Sequence, residues 1–124
     1  MNKQRPKHLA LHLIKLPLPG IVSILHRFSG LLLFFALPLL LLMLQYSLRS
    51  IETYTQLLAV LAQPLCKLLL LGLVWAFLHH FCAGLRYLAI DLHYVHDLAQ
   101  ARSTSRVVLA VSLTVTVLIG VKLW

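Results

Sequence analysis

Residues Phe28–Leu48 read FSGLLLFFALPLLLLMLQYSL, 21 consecutive residues without a charged side chain. An α-helix needs about 20 such residues to cross the roughly 30 Å hydrocarbon core of a bilayer. Extended back to Val22, the run predicts a first membrane helix over residues 22–49. Pro38 falls inside it, which membrane helices tolerate and which typically kinks them. Arg49, Ser50, Glu52 and Thr53 then read as a short polar turn. Beyond that turn Leu57–Ala62 is apolar, but Pro64 and Lys67 interrupt it. The second span is therefore placed at 64–90, with proline in the first turn and Lys67 snorkelling to the interface. Val107–Val121 is a third uncharged run of 15 residues. The long stems of Arg106 and Lys122, with Trp124 at the interface, extend it to a span over 104–124 and leave 91–103 as a polar loop.

Composition limits the choice further. The 124 residues are 60% hydrophobic and 11% charged, against roughly 45–50% and 25% in an ordinary soluble domain. That balance excludes a water-soluble fold, and it excludes disorder, which requires low hydrophobicity and dense charge. Three spans take about 60 residues and leave termini and loops of sensible size; four leave almost nothing. The expected fold is an all-α membrane protein forming a single domain over 1–124. Residues 1–21 carry Lys3, Arg5, Lys7 and Lys15 among Pro6, Pro17, Pro19 and Gly20, and form an exposed cytoplasmic segment. The apolar run that follows is too long for a secretory signal and ends in no small-residue cleavage site.

The net charge of +8 would suggest nucleic acid on a soluble chain. Here the basic residues flank apolar runs, so the expected partner is the lipid membrane and not nucleic acid. Lys3, Arg5, Lys7, Lys15, Arg27, Arg86, Arg102 and Arg106 fall on one side, and Arg49, Lys67 and Lys122 on the other. By the positive-inside rule the N-terminus is cytoplasmic and the C-terminus outside. Cys66 and Cys82 lie 16 residues apart on one predicted helix, about 24 Å, which is beyond disulfide reach.

Ionisable groups inside spans are costly and usually functional, and two clusters qualify. In Ser23-Ile-Leu-His26-Arg27-Phe-Ser29-Gly30, Ser23 and Arg27 stand four apart on one helical face. A hydroxyl and a guanidinium placed so can both donate to a carbonyl oxygen, as on a quinone. The same two residues also suit a helix cap and an interfacial anchor. In His79-His80-Phe-Cys-Ala-Gly84-Leu-Arg86, a mid-helix histidine precedes glycine by four. A neutral imidazole suits haem iron, and glycine leaves room for a flat ring. A histidine hydrogen-bonded to another helix accounts for the same pattern, and spacing does not separate His79 from His80. From boundaries at Val22 and Ile90, Arg27 lies about 8 Å deep and His80 about 15 Å, so both clusters occupy the cytoplasmic half and can be neighbours. The pairs His8/His12 and His93/His96 have no nearby acid or cysteine to complete a metal site. Tyr87 and Asp91 suit a local hydrogen bond, and Asp91 an ion pair with Arg86.

Ser23, His26, Arg27, Ser29 and Gly30 form SxxHRxSG, and His80, Gly84, Arg86 and Asp91 form HxxxGxRxxxxD. The first resembles the N-terminal signature, and the second a later signature, of the cytochrome b membrane-anchor subunit of succinate dehydrogenase, respiratory complex II. Arg5-Pro6 and the three spans extend the resemblance over nearly the whole chain. Tyr87 departs from the His or Phe often found there, and Lys7-His8-Leu9 from the usual Ser-Pro-His. The resemblance implies that His80 is the axial ligand of haem b, with Gly84 packing against the haem. It implies that Ser23 and Arg27 line the ubiquinone pocket, and that His26 and Arg27 lie near the haem propionates. It further implies that a second hydrophobic anchor subunit gives the other haem ligand and completes the helix bundle. By the same resemblance, a flavoprotein and an iron-sulfur subunit are expected on the cytoplasmic face of the bacterial inner membrane, delivering electrons from succinate. The chain itself then performs no succinate oxidation. Two alternatives fit the bare span pattern, a small holin-like pore and the cytochrome b anchor of another respiratory dehydrogenase. The second would normally need several deep histidines, where only His79 and His80 stand here.

Overall fold

The computed structural model of the chain describes residues 16–124. The expectations for Lys3, Arg5, Pro6, Lys7, His8, His12 and Lys15 lie outside them. The described residues form four helices, α1 Leu18–Ser47, α2 Ile51–Leu61, α3 Pro64–Asp91 and α4 Leu98–Leu123, and no strand. Helices α1, α3 and α4 are long and apolar enough to cross a membrane. At 1.5 Å per residue they run about 40–45 Å, through the hydrocarbon and into both headgroup regions. The protein is an all-α membrane protein with three such spans.

The helix ends differ from the expected boundaries for local reasons. Helix α1 begins at Leu18, four residues early, because Pro19 stands in its first turn, where its missing N–H costs nothing. The Pro17 carbonyl accepts from the Gly20 and Ile21 amides at 2.8 and 3.2 Å. The helix continues through Pro38. Helix α4 begins at Leu98, six residues early, because Asp97 caps it: its Oδ1 accepts from the Gln100 amide at 2.6 Å, while Gln100 Oε1 accepts from the His96 amide at 2.7 Å.

Helix α2 was not expected. Ser50 and Thr53, read from sequence as part of a turn, form a reciprocal cap in which each side-chain oxygen accepts the other's backbone N–H at 3.1 Å. Eleven residues make only about 17 Å of helix, too short to span, so α2 links the far ends of α1 and α3. Tyr46 donates to Gln56 Oε1 at 2.6 Å and ties it to α1. The connection from α3 to α4 closes with a Schellman arrangement, Tyr94 N–H on Ala89 O and His93 N–H on Ile90 O, both 2.9 Å. It requires His93 at φ 59°, a left-handed conformation.

Helix α3 is central, packed against α1 on one side and α4 on the other. Small side chains let the backbones approach, as is usual between membrane helices: Ser29 on α1, Ala76 and Ala83 on α3, Ser105 and Ser112 on α4 are all fully buried. The buried hydroxyls of α4 turn back to their own helix, Ser105 to Ala101 O at 2.7 Å and Thr116 to Ser112 O at 2.7 Å, so they need no partner across the interface.

Candidate functional site

At about 100° per residue, the order around α1 from its buried side outward is Val22 and Ser29, then His26, Gly30, Ser23 and Arg27. Burial follows that order: Val22 and Ser29 are buried, His26, Gly30 and Ser23 half-buried, Arg27 exposed. Ser23 lies beyond the first turn of a helix whose N-cap is Pro17, so the capping role that the sequence allowed it is ruled out.

On α3, Ala76 and Ala83 mark the buried centre. Arg86 and Cys82 fall toward α4; His80, Gly84 and Tyr87 fall toward α1. The two sequence clusters consequently meet across the α1–α3 interface. The His26 and His80 imidazoles stack at 4.2 Å between centroids and 8° between planes. The Tyr87 ring tilts onto His26 at 5.2 Å. A Cβ added at Gly84 would reach His26 Nε2 at 3.8 Å, ordinary contact. Gly30 is more demanding: a Cβ there would come within 2.8 Å of His80 Cε1 and 3.2 Å of its Nδ1.

The hydrogen bonds of His80 fix its chemistry. Its Nδ1 lies 3.0 Å from the His26 carbonyl oxygen and 3.4 Å from Ser29 Oγ. A carbonyl only accepts, so Nδ1 carries the proton, and in the neutral ring Nε2 keeps its lone pair. The neighbouring His79 differs in every respect. It is fully buried, beside Trp75 at 5.3 Å between rings, and neither of its ring nitrogens has a hydrogen-bond partner among the described residues. The Val22 backbone passes near it without making a bond of acceptable geometry.

Two local expectations are corrected. Arg86 does not turn to Asp91; its Nε donates to Thr104 Oγ1 at 3.1 Å and its Nη2 to Ala101 O at 3.2 Å, both on α4. Five residues of helix put Arg86 and Asp91 about 140° apart. Nor does Tyr87 bond Asp91: helical side chains lean toward the N-terminus, which carries its ring to His26, and its buried hydroxyl has no partner among the described residues.

Sequence reasoning gave no separate role to Ser29 and Gly30, although both stand in the quoted motif. A serine and a glycine side by side opposite a histidine are the signal that could have marked them as its seat. A cleft of about 630 Å³ between α1, α2 and α3 has apolar walls that include Leu40, Met43, Leu57 and Trp75. Among the described residues no histidine or charged side chain lines it.

Comparison with known proteins gives a consistent result. The family model described as succinate dehydrogenase/fumarate reductase transmembrane subunit matches residues 1–119. A Coxiella burnetii protein named succinate dehydrogenase cytochrome b556 subunit is 35% identical, covering 100% of both chains. Proteins of the same name from Paracoccus denitrificans and Rickettsia felis are 32% and 30% identical, over 92% and 95% of this chain and 88% and 92% of their own. A match of this extent leaves no place for the holin-like pore: the chain belongs to the succinate dehydrogenase/fumarate reductase transmembrane-subunit family.

Proposed function

We propose that the chain is the cytochrome b membrane-anchor subunit of a succinate:quinone oxidoreductase, and that it contributes His80 as one axial ligand of haem b. The observation that carries this reading is the state of the His80 ring. An imidazole that ligates iron almost always donates its other N–H to a carbonyl or carboxylate, and His80 Nδ1 already donates to the His26 carbonyl at 3.0 Å. Its Nε2 lone pair remains available on a ring that is only half-buried, whereas His79 is sealed inside the bundle. The residues present therefore fit a haem at His80. Haem b, when bound, would supply a one-electron carrier, and a histidine of the second hydrophobic subunit would complete its ligation.

Around that ligand, the sequence of residues on α1 divides the remaining work. His26 is stacked on His80, and Arg27 is the cation on the open side; both suit the haem propionates. Gly84 keeps the adjoining surface of α3 flat where it meets His26 and would leave room for the haem to pack. Ser23 and Arg27 share a face about two turns from the start of α1 and both donate hydrogen bonds. Together they hold a ubiquinone carbonyl oxygen, and the guanidinium bond strengthens as negative charge develops there in a low dielectric.

The distribution of basic residues supports a cytoplasmic N-terminus, and kinship with bacterial succinate dehydrogenase subunits supports a place in the bacterial inner membrane. Flavoprotein and iron-sulfur subunits dock on that face and perform succinate oxidation; this chain anchors them and shapes the quinone-reducing site.

A reduced-minus-oxidised absorption spectrum of the purified complex, with succinate-driven ubiquinone reduction measured in parallel, tests the proposal. A b-type band is expected, and Arg27→Ala is expected to cut quinone reduction while succinate oxidation with an artificial acceptor continues. No b-type band, or unchanged quinone reduction in Arg27→Ala, contradicts it.

A further inference from the structure

Resting on the reading of His80 as a haem ligand, we infer that Gly30 and Ser29 are positioning residues, which seat the His80 imidazole against α1 and fix its tautomer and donor strength. Three contacts converge on one ring. The bare Cα of Gly30 admits its Cε1–Nδ1 edge to a distance that no side chain would permit, since a Cβ would lie 2.8 Å from Cε1. The His26 ring covers its face at 4.2 Å. The Nδ1 proton faces two oxygens, the His26 carbonyl at 3.0 Å and Ser29 Oγ at 3.4 Å.

Ser29 is fully buried, and its hydroxyl proton is already committed to the His26 carbonyl at 2.9 Å. Its oxygen therefore presents lone pairs, and not a proton, to Nδ1. A donor group at this position would have favoured the opposite tautomer, with Nδ1 bare and Nε2 blocked by its own proton. The Ser29–Gly30 pair thus does two things: glycine gives the ring its place, and serine makes that place one in which only the Nδ1–H form is comfortable. Acceptors on the distal nitrogen raise the basicity of a ligating imidazole and set its orientation. Both residues act through His80.

With Gly30→Ala the ring edge must retreat by several tenths of an ångström, which shifts the ring along its stack with His26. The Nδ1 bond to the His26 carbonyl lengthens and the ligand is loosened. The test is haem binding and spectroscopy on the intact complex, with Gly30→Ala, Ser29→Ala, Ser29→Thr and His80→Ala compared to the unaltered protein. Gly30→Ala is expected to weaken haem retention about 10–100-fold, the usual effect of losing an outer partner of a ligating histidine. It should also shift the low-spin ferric EPR signal and let the reduced haem bind carbon monoxide. Ser29→Ala is expected to shift the haem midpoint potential, and Ser29→Thr, which restores the hydroxyl, to return it. Wild-type haem retention, EPR signal and carbon-monoxide inertness in Gly30→Ala, with an unmoved potential in Ser29→Ala, overturn the inference. His80→Ala separates the two levels: if it keeps the native haem spectrum the ligand reading itself fails, whereas haem loss in His80→Ala with unaltered Gly30→Ala and Ser29→Ala leaves the ligand standing and removes only its seat. Should Gly30→Ala fail to assemble, Ser29→Ala decides, since it removes the hydroxyl without adding bulk against the ring.

Discussion

Replacing Arg86 by methionine should loosen α4 from α3 by about 1–3 kcal/mol. Arg86 is 7% exposed and reaches α4 twice, through Nε to Thr104 Oγ1 at 3.1 Å and Nη2 to Ala101 O at 3.2 Å. The groups it would leave behind stay satisfied. Ala101 O also receives Ser105 Oγ at 2.7 Å, and Thr104 Oγ1 donates to Gln100 O at 2.9 Å. The loss is then the two bonds alone, without the added cost of an orphaned polar group. Interhelical bonds in membrane proteins average about 0.6 kcal/mol and reach about 1.7, which gives the stated range. Thr104→Val removes one bond from the other side, but leaves a buried guanidinium nitrogen without its partner and should cost about as much by itself. The double variant should cost less than the sum, with a coupling of about 1 kcal/mol. Detergent-unfolding midpoints of the four purified complexes supply the cycle. Additive effects, or Arg86→Met within about 0.3 kcal/mol of the parent, would refute the clamp; Arg86 would then be an orientation charge only.

Other outcomes follow from single positions. His93→Gly should stabilise the α3–α4 connection by about 1 kcal/mol, because φ 59° burdens a side chain and not glycine; the same unfolding midpoint should rise. Asp97→Ala should cost about 1 kcal/mol and Asp97→Ser much less, since either a carboxylate or a hydroxyl can accept the Gln100 amide. His79→Leu should keep the haem at native stoichiometry and leave stability unchanged or improved, because neither ring nitrogen it removes has a partner among the described residues.

The spans were legible because each rests on a long uncharged run, and no competing structure hides so much apolar surface. Their ends were less so. Pro19 and Asp97 each start a helix earlier than hydropathy suggests, through local hydrogen bonding that a window average does not register. Helix α2 escaped for the same reason: its signal is the Ser50–Thr53 cap, and its face is too short to stand out beside two spans.

At the site, helical spacing placed Ser23 with Arg27 and His80 with Gly84, but periodicity along one helix says nothing about which face a second helix will cover. His79 and His80 were therefore equivalent until α1 was seen against one side of α3 and α4 against the other. The pairing of Arg86 with α4 was invisible for the same reason, since the charge it seemed to need was nearby in sequence but on the wrong side of the helix.

The central claim is that His80, with its proton held at Nδ1 by the His26 carbonyl, ligates haem b. The measurement that meets it most directly is the haem content and reduced-minus-oxidised spectrum of the complex carrying His80→Ala, beside His79→Leu. Loss of the native b-type spectrum in His80→Ala and its retention in His79→Leu is the predicted result. A native spectrum in His80→Ala, or its loss in His79→Leu alone, would contradict the account.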